Sequence, residues 1–524
     1  MAIETVGESA IEQNIEQFLL VLSVSLSVAT LSRVVSWLRQ IPYTLLLVIV
    51  GLILAFVDVR LVNLSPALIL EIFLPPLLFE AAWNMKWRDL SRELLPVTLY
   101  AVLGVVISIV GIALAINQLA GIGLPVALLV GASLSATDPV SVIALFRELG
   151  AGKRLTNLME GESLFNDGVA VVAFSLLVGI PLGLEEFNVP STIARFFIFV
   201  GIGIGVGSLI GFGISYLTQR FDLPLVEQSL TLVSAYGTYV ITEELGGSGV
   251  IGVVTVGLIL GNFGSRIGMN PRTRLLVTEF WDFLAFFVNS IVFLLIGDQV
   301  HYSSLGENLG LIAITIGALI LTRAIAIYGL GGLSNWLVKS EIGLRDQTVL
   351  WWAGLRGSVS IALALSVPAT LPGRDVIIDI VFGVVLFTLL VQGLTTQILL
   401  EKLELTGEQP LRQKYLEAVS RSIALNRVLN YLSEASQYQE IEPEFCRYQA
   451  ELVEGQLQSL TEEIIQLQKE YPQLRTLVME QIQDKLLDIE ADTYAELIRA
   501  GRLDKKLSPL LEEVLAAGQE NLIE

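Results

Sequence analysis

The sequence predicts an all-α integral membrane protein: about thirteen transmembrane helices in two inverted repeats, with crossed, broken helices, plus a helical cytoplasmic tail. Three observations predict it. Of the 524 residues, 53% are hydrophobic and the mean hydropathy is +0.68, far above the soluble globular range. Apolar windows of roughly 17–25 residues, the length that crosses a bilayer as a helix, follow one another along most of the chain. Lysine and arginine gather in alternate gaps between those windows.

The windows fall at 17–37, 41–58, 64–85, 95–117, 124–147, 160–183, 191–217, 227–242, 248–264, 273–298, 308–330, 346–370 and 376–400. Their runs are continuously apolar rather than alternating over short strands, which excludes a β-barrel. The odd-numbered gaps and their edges hold Arg33 and Arg39; Lys86, Arg88 and Arg92; Arg147, Lys153 and Arg154; Arg220; Arg266, Arg272 and Arg274; and Lys339 and Arg345. The even-numbered ones hold Arg60, Arg195 and Arg374, with Glu185, Glu186, Glu243 and Glu244 beside them. By the positive-inside rule the odd gaps are cytoplasmic, the N-terminus is outside and the C-terminus inside.

Residues 1–16 are acidic, unlike the basic start of a cleavable signal peptide. Cys446 is the only cysteine, so no disulfide forms within the chain, and a net charge of −20 argues against a nucleic-acid partner. After Leu400 the composition turns to Glu, Gln, Leu and Lys. The chain therefore divides into a transmembrane part, 1–400, and a cytoplasmic helical tail, 401–524, in which Pro410, Pro443, Pro472 and Pro509 separate several helices. A solvated helical appendage, rather than a catalytic domain, is the expectation for it.

Charged side chains inside apolar windows carry the functional signal, because each costs at least ~2.5–3.5 kcal/mol at the bilayer centre and faces a partner or a watery cavity. They are Glu71 and Glu80 in the third window, Asp138 in the fifth, Glu160, Glu162 and Asp167 in the sixth, Arg323 in the eleventh and Arg356 in the twelfth. Glu279, Asp282 and Asp379 lie nearer the ends of their windows, where water accounts for them. Two arginines cannot neutralise all of these acids, so packing pairs alone do not explain the set.

In the fifth window Pro139 breaks the helical ladder near Ser135. Carbonyls freed at membrane depth are tolerated where they line a cavity, and Thr137 and Asp138 beside the break offer hard oxygen ligands for a small cation. In the sixth, Ser163 and Asp167 share one helix face and Glu162 and Asn166 the adjacent one. Burial penalises a bare carboxylate, so protons and cations compete to neutralise Asp167. In the twelfth, Gly354 and Gly357 bracket Arg356 and mark a second interruption. The fifth and twelfth spans are an odd number apart and run in opposite directions. Interrupted helices at corresponding places in two inverted halves point to a transporter's midplane site. Spacing leaves Arg323 and Arg356 both open as partners of Glu162.

At these residues the sequence resembles the monovalent cation:proton antiporters, in the NhaP and sodium/proton exchanger branch. The matching segments are FLPPLLFEAAWNM (Phe73–Met85), ATDPVSVIALFRELG (Ala136–Gly150), LMEGESLFNDGVAVV (Leu158–Val172) and GLRGSVSIALALSVP (Gly354–Pro368), within residues 15–400. The resemblance implies that Asp167 alternately binds cation and proton, with Asn166 beside it. It implies an ion shell completed by Asp138, the Thr137 backbone oxygen, Ser163 and Glu80. It pairs Glu162 with Arg323 and leaves Arg356 in the second broken helix. Members with Asn-Asp at the Asn166-Asp167 position are electroneutral, one cation per proton, so that stoichiometry is expected here. Glu71 and Glu160 lie outside the implied site.

The expected function is secondary exchange of Na+, and Li+, for H+ by alternating access, without cofactor or enzymatic chemistry, in a homodimer embedded in a lipid bilayer. The membrane expected is the prokaryotic cytoplasmic membrane. Because Asp167 must be neutralised by a cation or a proton before it crosses, the two fluxes are coupled. A K+/H+ antiporter on the same scaffold is the first alternative. A cation channel is the second, against which stands the lack of a TVGYG-like filter. A sensor signalling through the tail lacks any kinase or nucleotide motif, and no phosphate loop suggests an ATP-driven pump. The lone histidine, His301, reads as external surface.

Overall fold

A computed structural model describes residues 2–35, 38, 41–57, 59, 61, 65–138, 140–184, 188–219, 223–265, 269–300, 302–338, 340–405, 409–435, 443–471 and a few positions between 486 and 497. Pro139, His301, Pro472, Pro509, Arg39, Arg60, Glu185, Glu186, Arg220, Arg266 and Lys339 lie outside the described residues. Among the described residues there is helix in every apolar window and no strand. Five helices among the described residues are by themselves long and apolar enough to cross a bilayer: Leu94–Ala120, Val189–Thr218, Arg272–Asp298, Leu309–Val338 and Arg374–Lys402.

Helix starts carry local signals. Asn188, Ser248 and Asn270 accept from the backbone N–H three residues on, at 3.4, 3.4 and 2.8 Å, and Pro125, Pro190, Pro224 and Pro271 occupy first turns, where no N–H is needed. The sixth window begins earlier than its hydropathy implies, because its helix runs Lys153–Leu177. Its charged first turn is held by ion pairs: Lys153 to Asp89 at 3.2 Å and Arg154 to both oxygens of Glu93 at 2.6 and 3.1 Å. The Glu93 carboxylate raises the Arg154 guanidinium above its ordinary pKa, against the opposing pull of partial burial.

The membrane part packs as two bundles. One contains Ala2–Val34, Tyr43–Phe56, the third span ending in Leu74–Asn84, Val189–Thr218, Pro224–Glu244, Gly249–Gly264 and Pro271–Asp298. The other contains Leu94–Ala120, Lys153–Leu177, Leu309–Val338, Arg374–Lys402 and the two interrupted spans. The fifth span is Leu124–Ser133 followed by Val140–Leu149, and the twelfth is Leu344–Trp352 followed by Ser358–Leu365. The second bundle thus takes three consecutive spans from each half of the chain. Among the described residues, four spans also carry a π-helical turn, at Leu68–Phe73, Leu99–Gly104, Leu260–Gly264 and Thr388–Gly393.

The chain forms two compact units, Met1–Arg147 with Ala151–Leu405, and Glu148–Gly150 with Thr406–Glu524. In the second, Gln409–Ala435 and Pro443–Glu470 form an antiparallel hairpin around Tyr415 and Leu467. Gln468 donates to the Tyr415 hydroxyl at 2.6 Å, and Lys414 pairs with Glu463 at 3.1 Å.

Candidate functional site

The two interruptions meet. Helix is lost over 134–138 in the fifth span and 353–357 in the twelfth, and the freed backbone groups bond across the gap. Asp138 N donates to the Leu355 carbonyl at 2.9 Å, and the Ser360 hydroxyl reaches the Ala136 carbonyl at 3.5 Å. Arg356 N donates to Thr388 Oγ1 at 3.0 Å, so the π-turn of the thirteenth span anchors the second break.

Charges stand where the broken helices leave partial charges. Asp138 Oδ1 accepts from Val140 N at 3.0 Å, at the N-terminus of Val140–Leu149. The same carboxylate lies against Gly357, which caps the N-terminus of Ser358–Leu365; a Cβ there would sit 2.5 Å from Asp138 Cβ and 2.7 Å from Cγ. A cation closes the opposite kind of end. Arg323 Nε donates to the Leu350 and Trp351 carbonyls at 3.2 Å each, and Nη2 to Leu350 at 2.8 Å, at the C-terminus of Leu344–Trp352. Arg323 also forks onto Glu162, Nη1 to Oε1 at 2.9 Å and Nη2 to Oε2 at 3.0 Å, with both side chains buried. Gly354 gives this guanidinium its room.

Helix Lys153–Leu177 carries Glu162, Ser163, Asn166 and Asp167, all buried, to the first break. Asn166 joins the two elements: its Oδ1 accepts from Thr137 N at 3.2 Å, while Nδ2 donates to Thr137 Oγ1 at 2.5 Å and to Glu162 Oε1 at 3.5 Å. The hydroxyls of Thr137 and Ser163 share a bond of 2.9 Å. A small cavity beside them is lined by Tyr100, Ser108, Ser135, Glu162, Asn166 and Arg323. Among the described residues, Asp167 Oδ1 and all three guanidinium nitrogens of Arg356 are buried without a hydrogen-bond partner.

The structure therefore brings Thr137, Asp138, Glu162, Ser163, Asn166, Asp167 and Arg323 into one network or its immediate edge, with the buried Arg356 in the adjoining break. Glu80 stands differently. It lies in the first bundle and accepts from Asn84 Nδ2 at 2.7 Å. Among the described residues, no three Asp, Glu, His or Cys side chains gather closely enough to hold one metal ion. Sequence reasoning overlooked the carbonyls that Arg323 closes, since backbone acceptors leave no trace in residue type.

The model of the family described as "Sodium/hydrogen exchanger, transmembrane" matches residues 22–402. The chain belongs to that family. The match takes in the crossing, the Asp167 helix and Arg323. This exchanger-family chain is 68% identical over 518 residues to the Na+/H+ antiporter ApNhaP of Aphanothece halophytica, covering 98% of this chain and 99% of that one. It is 62% identical over 511 residues to the low-affinity Na+/H+ antiporter NhaS1 of Synechocystis, covering 97% of each. Among solved structures, the sodium proton antiporter MjNhaP1 of Methanocaldococcus jannaschii superposes with a TM-score of 0.60 at 22% identity, over 76% of this chain and 100% of that one. That likeness shows the fold.

Proposed function

We propose that this chain is a multi-pass membrane transporter that exchanges Na+, and Li+, for H+ by alternating access, one cation per proton. The observation that carries the reading is the crossing of two broken helices beside Asp167, with Asn166, Thr137 and Ser163 bonded into one oxygen-rich network. Asp167 takes cation and proton in turn; Asp138, Thr137 and Ser163 supply further ion ligands; Glu162 and Arg323 hold the frame. Glu80 approaches from the other bundle, so its distance to Asp167 changes as the bundles rock. The naming of both bacterial relatives for Na+/H+ exchange favours sodium over the potassium alternative.

Charge counting supports the stoichiometry. Counted within the bundle that carries the crossing, and so without Glu80 of the other bundle, Asp138, Glu162 and Asp167 give three negative charges and Arg323 and Arg356 two positive, which leaves one negative charge there. One monovalent cation or one proton cancels it, so both loaded states cross with the same net charge and the empty state is held back. We assign the homodimer contact to Val189–Thr218, whose apolar window is only 17% buried within the chain and whose Phe197, Leu209 and Phe212 are left for lipid or a second copy to cover. The prokaryotic cytoplasmic membrane, with the 401–524 tail inside as a regulatory appendage, fits the charge alternation of the loops.

The test is cation-driven collapse of a preset ΔpH in inside-out vesicles. Na+ and Li+ dissipate the gradient, K+ does so weakly, and Asp167→Asn abolishes the response while the protein remains folded and inserted. A response mainly to K+ would turn the reading to the alternative cation. Failure of every cation to move protons would overturn the antiporter.

A further inference from the structure

Asn84 is the penultimate residue of the FLPPLLFEAAWNM segment, and neither the network at the crossing nor the family resemblance gives it a task. Its Nδ2 donates two hydrogen bonds at once, to Glu80 Oε1 at 2.7 Å and to Asp282 Oδ1 at 3.0 Å. The first partner is one turn earlier on the same helix. The second lies on Pro271–Asp298, a different helix of the same bundle. Two carboxylates are thereby drawn to a single nitrogen, and an amide is suited to this because it supplies two donors without adding a titratable group.

The register of this bridge is fixed by rigid packing. Trp83 Nε1 donates to Thr278 Oγ1 at 2.9 Å, and Phe79 packs on Trp281 with ring centroids 4.2 Å apart. Those contacts set the third span against Pro271–Asp298 over the turns that lead to Asn84. Asn84 and Asp282 are themselves exposed, so water competes for their hydrogen bonds and burial does not explain their alignment.

We propose that Asn84 is a positioning residue for sodium uptake: it holds the Glu80 carboxylate in place, and Asp282 sets the direction of the Asn84 amide. The inference rests on the reading that Glu80 contributes to the ion shell. Asp282 acts here as a hydrogen-bond acceptor, and its charge is secondary.

The experiment uses full-length protein in inside-out vesicles, with Na+ as the probe, and separates Na+ KM from maximal rate. Glu80→Ala raises the Na+ KM several-fold. Asn84→Ala raises it in the same direction with the maximal rate little changed, and adding Asn84→Ala to Glu80→Ala raises it no further, because one residue acts through the other. Asp282→Ala raises KM more than Asp282→Asn, which keeps an acceptor oxygen. If Glu80→Ala leaves KM unchanged, the ion-shell reading of Glu80 fails. If Glu80→Ala raises KM while Asn84→Ala does not, or if their effects add in full, the positioning role is overturned and the reading of Glu80 stands. Equal impairment by Asp282→Ala and Asp282→Asn would assign Asp282 to a field effect and overturn the bridge.

Discussion

Arg323→Met destabilises the transporter by about 3–5 kcal/mol, the cost of leaving one member of a buried ion pair without its partner. The upper part of that range is expected, because two losses coincide. Glu162 keeps only the long 3.5 Å bond from Asn166, and the Leu350 and Trp351 carbonyls lose the donor that closes their half-helix. Glu162→Gln costs less, since Arg323 retains those carbonyls and a side-chain oxygen still faces it. The double variant is more stable than Arg323→Met alone, as coupling within a pair requires. Thermal unfolding midpoints of the purified variants in one detergent check the order. An Arg323→Met protein as stable as Glu162→Gln would show that the helix end does not depend on the guanidinium.

Gly357→Ala leaves the fold standing and nearly stops exchange. The added methyl falls within 2.5 Å of Asp138 Cβ and 2.7 Å of its Cγ, closer than any real contact. Asp138 cannot simply step aside: its amide is tied to Leu355 and its Oδ1 to Val140 N. The carboxylate is pushed from its seat by a distance of the order that costs about 100-fold where reacting groups must be aligned. Gly354→Ala is the instructive comparison, because its methyl strikes the Arg323 guanidinium. That variant loses stability in the manner of Arg323→Met, whereas Gly357→Ala loses Na+-driven proton movement while its unfolding midpoint falls by less. If the two variants behaved alike, the division of the crossing into a cation-facing and a frame-holding half would be wrong.

Much of this architecture is legible in the sequence because membranes enforce simple rules. Hydropathy places the helices, and an interruption announces itself through Pro139, Gly354 and Gly357, residues with a backbone reason to be there. Asp167 stands out because a carboxylate in an apolar run needs explanation. The choice between Arg323 and Arg356 is a different matter. Both are buried arginines at membrane depth, and spacing carries no information about which side of a bundle faces Glu162. In the structure Arg323 lies within bonding distance of Glu162, and the Arg356 guanidinium sits in the break with no hydrogen-bond partner among the described residues. Asn84 escaped notice for a related reason: a neutral amide near a helix end looks ordinary until both of its acceptors are seen. The start of the sixth helix at Lys153 was missed because hydropathy marks where lipid begins, while the hydrogen-bond ladder continues past it.

The close fit at Gly354 and Gly357 bears on how such a protein can diversify. Where a single added carbon collides with the Asp138 carboxylate on one side and a supporting guanidinium on the other, drift at the crossing has almost nowhere to go. Adjustment to a saltier or more alkaline habitat must then come from positions with slack. The trio of half-buried Glu80 and exposed Asn84 and Asp282, sitting on the opposite bundle, is such a place. Selection can rearrange the hydrogen bonds there, generation after generation, without touching the part that must stay the same.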